Sequence, residues 1–375
     1  MAAALLREIA DYPADPRPRA IDRPLALYGA GDLGRMARDH LDHLGIPVAL
    51  VVDRDADRLA ASPAWQGMRL LTPDQVPESA KREMLLAVCV ATAPYAPLEA
   101  DLSAMGWLDI VPFYDIAEAY RDRHPLSNGW IAPPLDARDR TGIATVLDAW
   151  DDDLSRAHHL QFLAWRRLRQ EWRFTGAPVT LDDRYFIPEL RGLLTGGERF
   201  ADIGAHEGGV IRRFLDVVGG QCAAIWAVEP DPRNRARLRM AVAGDGRVTI
   251  IDRAVADGER RAAFAAGLGY ASQLSGIGGK PLDVTTIDRL GIDPSVMKLH
   301  LEGGELAALR GALETIMRCR PLLALTSYHN ALGLWELPRW LMQALPEYRF
   351  LLRLHSWVGT GAVIYAIPNE RGRDG

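Results

Sequence analysis

Short continuous apolar runs alternate with amphipathic stretches along most of the chain, and the change from one to the other marks its elements. Pro24-Leu-Ala-Leu-Tyr28, Val48–Val52, Met84–Ala91 and Asp109–Phe113 read as strands. Each is nearly all apolar and bounded by turn residues, the pattern of strands covered on both faces. The stretch to Leu44 and residues 98–105 read as intervening helices, so this part predicts a parallel, doubly wound sheet. A short amphipathic helix (Ala2–Ile9) and a linker with Pro13, Pro16 and Pro18 precede it.

The period changes near residue 122. Pro133-Pro134 breaks the chain, and Thr141–Trp172 is helical, with apolar Val146, Leu147, Trp150, Leu160, Leu163, Trp165 and Leu168. His158, His159, Arg166, Arg167 and Arg169 fall on this stretch, which predicts a connector helix pair with a solvated face. From Arg184 onward the alternation returns. Arg199–Ile203, Ala224–Val228, Val248–Asp252, Ser295–Leu301 and Pro321–Ser327 read as strands, with helices at Val210–Val218, up to Val242, up to Met317, and at Trp335–Leu345. Tyr348–His355 and Gly361–Ile367 close the region as a strand pair. The expected organisation is three parts, 1–121, 122–180 and 181–375.

Composition narrows the class without naming it. With 375 residues, 48% apolar and 25% charged, the chain is an ordinary globular protein of two or more domains. Its 44 basic and 49 acidic residues leave a net charge of −5, with no basic excess to draw it to nucleic acid or anionic lipid. Cys89, Cys222 and Cys319 are isolated in apolar surroundings and read as reduced thiols. The N-terminus lacks the pattern of a signal peptide, and the longest apolar run is too short for a membrane span, so a cytoplasmic protein is expected.

Two glycine turns carry the candidate chemistry. In the N-terminal part, Gly29, Gly31 and Gly34 fit G-x-G-x-x-G, and Asp53 ends the next strand, where a ribose-binding carboxylate is expected. Backbone N–H groups at the helix start there suit a pyrophosphate, and tight strand-to-helix packing accounts for the glycines equally well. The sheet looks like about half a dinucleotide-binding fold, ending at Phe113. The second turn, Gly204-Ala-His-Glu-Gly-Gly209, differs in charge. Asp202 precedes it, Glu207 lies inside it, and Glu229 ends the next strand. Those carboxylates oppose a diphosphate and suit a ligand with an ammonium group, a sulfonium and ribose hydroxyls, namely S-adenosylmethionine (SAM). Ligands of open parallel sheets lie at the carboxyl ends of the strands, where Asp202, Glu229 and Glu302 all fall. The expected cofactor site is Asp202, Gly204, Ala205, His206, Glu207, Gly208, Glu229, Pro230, Asp252 and Ala254.

Phe200-Ala-Asp-Ile-Gly-Ala-His-Glu-Gly208, Val228-Glu-Pro-Asp-Pro-Arg-Asn234 and Lys298-Leu-His-Leu-Glu-Gly-Gly-Glu-Leu306, with Leu309-Arg-Gly-Ala312, resemble the FkbM-family methyltransferases over residues 181–367. The resemblance implies an α/β fold: a class I methyltransferase, Rossmann-like C-terminal sheet, beside a smaller Rossmann-like N-terminal domain and a helical connector. It also implies methylation of hydroxyls on sugars, glycans or natural products. One position departs from the pattern, since the family's fourth strand usually reads Lys-x-Asp-x-Glu-Gly and this chain has His300 in place of the Asp. Near the C-terminus, Thr360-Gly361-Ala362 stands where members often show Glu-Thr.

Methyl transfer to a hydroxyl needs in-line positioning and removal of one proton. His300 and His329 end neighbouring strands and are the expected bases, with Lys298 and Glu302 orienting them; each histidine alone also reads as a strand-end cap. His300, Glu302, Glu305, His329 and His355 are possible metal ligands by type but lack diagnostic spacing, so no metal is expected. Two other readings stay open, a non-catalytic SAM- or nucleotide-binding module and an NAD(P)-linked redox role for the N-terminal domain.

Overall fold

The computed structural model describes residues 1–126 and 129–371. Strands β1 (Leu25–Tyr28), β2 (Val48–Val52), β3 (Leu70–Leu71), β4 (Leu85–Val88) and β5 (Ile110–Pro112) form an all-parallel sheet in the order β3-β2-β1-β4-β5. That is five strands of the six-stranded 3-2-1-4-5-6 dinucleotide-binding arrangement, more than the half expected. The two-residue β3 was missed because it is too short to show a period.

The second sheet opens with β6 (Arg199–Ile203), β7 (Ala224–Val228) and β8 (Val248–Ile251). The chain then makes a small separate sheet from β9 (Ala254–Val255), β10 (Arg260–Ala265), β11 (Gln273–Leu274) and β12 (Lys280–Thr285). It returns through β13 (Val296–Leu299), β14 (Leu322–Thr326), β15 (Tyr348–Leu354) and β16 (Ala362–Pro368). The main sheet has the order β15-β16-β14-β13-β6-β7-β8, parallel except for β16, which pairs antiparallel with both β14 and β15.

The region expected to be a connector is part of this domain's core. Helices Ala137–Ala149 and Asp153–Leu168 cover one face of the main sheet, and Ile143, Val146, Leu160 and Leu163 pack with Ile203, Leu299, Leu325 and Ile364. Helix Ala2–Asp11 joins them through Leu6, Ile9 and Ala10, so the first helix packs away from the N-terminal sheet that follows it. Helix Ala137–Ala149 exposes Arg138, Thr141, Thr145 and Asp148, but in Asp153–Leu168 the residues expected on a solvated face, His158, His159, Arg166 and Arg167, are all buried. Backbone carbonyls make that burial tolerable. Arg166 donates to the carbonyls of Tyr328, Gly359 and Gly129, and its guanidinium lies over Trp130. His159 Nδ1 accepts from Trp150 Nε1 at 3.0 Å, leaving Nε2 to donate to the Leu334 carbonyl at 2.7 Å.

The two sheets approach each other by their carboxyl edges. Tyr114, just past β5, stacks on Trp130, which lies against Tyr328 beyond β14. Trp357 N donates to the Ala91 carbonyl, and Trp165 and Val358 complete the apolar core on one face of the N-terminal sheet. No described helix is long and apolar enough to cross a membrane.

Candidate active site

Each glycine turn is shaped first by packing. Gly204 has φ +80°, and a Cβ there would stand 2.1 Å from the His300 carbonyl oxygen. Gly34 has the same constraint in the N-terminal domain, where a Cβ would stand 2.0 Å from the Gly29 carbonyl oxygen. Only the absent side chain lets two neighbouring strand ends approach at Gly204, and helix and strand end approach at Gly34.

Beyond the second turn lies a cleft at the carboxyl edge of the main sheet. Gly204, His206, Glu229, Pro230 and Ala254 line it toward β7, and His300 and Glu302 line it toward β13. Glu229 is buried, with Oε2 accepting from His206 N at 2.7 Å and Oε1 from Asp231 N at 2.9 Å. Each oxygen keeps a lone pair for a ligand hydroxyl, and burial raises the carboxyl above its usual range. His206 stacks on Tyr270, with centroids 4.2 Å apart.

Tyr270, Ser272 and Gln273 line the cleft from the loop and strand around β11, as Arg253 does from the end of β8. Sequence reading missed all four. Asp231 fastens that wall: its Oδ2 accepts from Gly267 N at 2.6 Å and from Ser272 Oγ at 2.7 Å, while Oδ1 caps the helix Pro232–Ala241. An acidic residue between two prolines was the one available signal, and it reads equally as an ordinary helix cap.

Other expected cofactor residues lie elsewhere. Asp202 is fully buried and accepts from Lys298 Nζ at 2.8 Å, and the same ammonium donates to the Gly204 carbonyl at 2.6 Å. This pair braces the turn from beneath, outside the cleft lining, while Asp202 Oδ2 has no hydrogen-bond partner. Burial still raises the Asp202 carboxyl against the pull of Lys298. Glu207 pairs with Arg237, Ala205 packs in the core, and Gly208 is buried against Leu238. Asp252 pairs with Arg235 at 2.7 Å and opens on a neighbouring depression.

In the N-terminal domain, Asp53 accepts from Ala30 N at 2.7 Å and Asp55 N at 2.8 Å, and Trp65 Nε1 donates to the Ala30 carbonyl. Gly29, Gly31, Gly34 and Asp53 thus share one turn that is braced from within.

At the other end of the cleft four side chains converge. His300 Nε2 donates to Glu302 Oε1 at 2.9 Å, and the Tyr185 hydroxyl lies 2.7 Å from His300 Nδ1. His329 Nδ1 donates to Glu305 Oε1 at 2.8 Å, and its Nε2, 3.3 Å from Glu302 Oε1, makes no hydrogen bond. Glu305 also accepts from Thr326 Oγ1, Leu301 N and Gly303 N. Burial keeps His300 uncharged, pushing it down to about 3. Burial opposes charge on Glu302 and His329 too, but their mutual attraction prevails: the carboxyl is held well below its usual range and the imidazole well above its own. Glu302 sits at φ +50°, a left-handed conformation costing on the order of 1–3 kcal/mol for a residue with a side chain. Tyr185 holds His300, whereas Phe186 packs in the core.

Residues 202–352 match the methyltransferase FkbM domain family. The C-terminal domain is an FkbM-family methyltransferase domain. The crystal structure of methyltransferase FkbM from Methylobacillus flagellatus KT superposes with a TM-score of 0.59 at 19% identity, covering 97% of this chain and 93% of that one. At that identity the likeness is one of fold, and it runs through the N-terminal domain as well as the FkbM domain. A fibrillarin/Nop5p complex (TM-score 0.30, 11% identity, 47% of this chain and 74% of that one) and a putative rRNA-methylase from Clostridium thermocellum (0.29, 10%, 48% and 92%) are similar only at a level that carries no argument. No curated protein matches the chain.

Proposed function

We propose that this protein is a SAM-dependent O-methyltransferase acting on a hydroxyl of a sugar, glycan or natural-product intermediate. The observation that carries the reading is the single cleft joining Glu229 at one end to His300 and Glu302 at the other. SAM supplies a methyl group on a sulfonium, open to displacement by an oxygen nucleophile. The residues at the Glu229 end fit its adenosine: two carboxylate lone pairs for a ribose diol, and the stacked His206 and Tyr270 rings beside them. The carboxylates of Asp202 and Glu207 are paired with Lys298 and Arg237, so an ammonium there would share them with these cations.

At the far end, His300 and Glu302 would orient the acceptor hydroxyl and draw on its proton. The geometry favours neither histidine as a free base. Both nitrogens of His300 have partners, and His329 is held toward its protonated form by two carboxylates. The cluster acts as a unit, polarising the hydroxyl rather than removing its proton beforehand.

Calorimetry with SAM on the full chain tests the cofactor, with Glu229→Gln as control. Binding in the micromolar range that weakens at least tenfold in E229Q supports the reading. Equal heats in both proteins, or none, overturn it. Incubation with methyl-labelled SAM and a panel of hydroxylated acceptors then separates an enzyme from a module that binds without turnover.

A further inference from the structure

The geometry points to a binding site for one divalent transition-metal ion, held by His300 Nε2, His329 Nε2 and a Glu302 carboxylate oxygen at the acceptor end of the cleft. Each of the three residues offers a ligand atom, and these lie within 4.8 Å of one another. The His300 and His329 nitrogens stand 2.9 and 3.3 Å from Glu302 Oε1. Ligands bound to a common ion at about 2.0–2.2 Å are separated by roughly 3 Å when their bonds stand near right angles. Two of the three spacings are therefore close to what one ion requires.

A second observation points the same way. His329 is buried, and its Nε2, though 3.3 Å from Glu302 Oε1, makes no hydrogen bond. A buried nitrogen without a hydrogen bond is costly, and a cation bridging it to the carboxylate would satisfy both groups. The outer contacts are those that metal-binding imidazoles use. His329 Nδ1 is fixed by Glu305, itself held by Thr326, Leu301 N and Gly303 N. His300 Nδ1 faces the Tyr185 hydroxyl, which can donate or accept. When an ion takes the His300 Nε2 lone pair, the ring proton moves to Nδ1 and the tyrosine oxygen accepts it, leaving the hydroxyl's own proton to water, while the proton on His329 Nε2 is released to solvent. Glu302, in a left-handed conformation, has Oε1 within 3.3 Å of both Nε2 atoms.

Two imidazoles and one carboxylate suit zinc, iron, manganese or cobalt better than magnesium or calcium, which prefer all-oxygen sets. His300 and Glu302 both border the cleft, so the positions left open on the ion face it. There the ion would bind the acceptor oxygen and make its proton easier to lose, a role that rests on the methyl-transfer reading. The binding of the ion does not.

The test is titration of the metal-free full chain with Co2+, read by visible absorption and calorimetry. One equivalent with ligand-field bands is expected. Glu302→Gln and His329→Asn should weaken it by about 100-fold or more, and Tyr185→Phe by about tenfold. His300→Asp, which replaces one ligand by another, should retain the ion, whereas His300→Leu should lose it. Circular dichroism reports whether each variant folds. His124→Asn is the control for a separate histidine cluster, His40–His43–His124. No cobalt binding, equal binding in E302Q and H329N, or loss only in H124N overturns the site. SAM calorimetry on the same metal-free protein is read separately. Heat with SAM but no cobalt site removes only the metal inference, whereas a cobalt site without SAM binding removes the methyl-transfer reading and leaves the metal site.

Discussion

The two glycine turns of this chain are built alike and end differently. In each, the first glycine N–H bonds to the last residue of the neighbouring strand, Gly29 to Val52 and Gly204 to Val228. In each, a carboxylate one position further on accepts a backbone N–H of the turn, Asp53 from Ala30 and Glu229 from His206. Yet Asp53 braces a turn covered by Trp65, while Glu229 borders a cleft walled by Tyr270 and Ser272. The glycine pattern therefore reports close backbone packing, helix on strand end at Gly34 and strand end on strand end at Gly204. Whether a ligand fits there depends on what the rest of the chain lays over the turn.

Substitutions that break both turns should have the largest effect. Gly204→Val and Gly34→Val each force a side chain into a backbone carbonyl, and each is expected to cost ~3 kcal/mol or more. Thermal unfolding of the two variants checks this; a change in Tm below two degrees in either would separate the turns in their packing. Lys298→Met comes next. It leaves Asp202 buried without its partner, a loss of about 3–5 kcal/mol in chemical denaturation, with no equivalent pair beneath the N-terminal turn among the described residues.

The carboxylates sharpen the contrast at smaller cost. Glu229→Gln should weaken SAM by roughly 10- to 100-fold, a loss of about 1.4–2.7 kcal/mol. Asp53→Asn should leave SAM affinity within about twofold and lower stability by about 1 kcal/mol. Equal effects of the two on SAM would erase the distinction. The covering aromatic residues should give the smallest effects. Trp65→Phe removes one hydrogen bond and about 1 kcal/mol of stability, without touching SAM. Tyr270→Ala, at a half-exposed position, should leave Tm in place and weaken SAM roughly fivefold, near 1 kcal/mol of ring contact.

Much of the fold was readable from the chain. β6 and β7 fall on the expected residues, because a run such as Phe200-Ala-Asp-Ile203, bounded by a charged residue and a glycine, has one plausible conformation. The small sheet β9–β12 was not readable. Its strands carry arginines, alanines and a proline, and only Ala254, Ala256 and Val284 form its buried cluster. Such strands exist because neighbours pair with them, which a local pattern does not record. The helix Asp153–Leu168 was recognised as a helix but assigned the wrong surroundings. Arginines normally mark a solvated face, and the carbonyls that satisfy Arg166 come from residues 129, 328 and 359.

The candidate site divides along the same line. Glu229, His206, Gly204, His300 and Glu302 were legible because they end strands or lie in the turn between a strand and its helix. His300, Glu302 and His329 were also expected near one another at neighbouring strand ends, but their 2.9 and 3.3 Å approach was not legible, since β13 and β14 are joined through the helices Glu305–Arg310 and Leu313–Cys319 and the three share no local spacing.

By itself the sequence determined where strands stop, where only glycine fits, and which residue types stand at the sheet's carboxyl edges. These are properties of a few consecutive residues, set by sterics and apolar period. Tertiary structure alone decided which charges remain available to a ligand. Asp202 and Glu207 looked open in the sequence but are paired with Lys298 and Arg237, distant in the chain, while His329 was brought against Glu302 by the order of the strands. Coulomb attraction depends on distance in space, and no spacing along the chain encodes that.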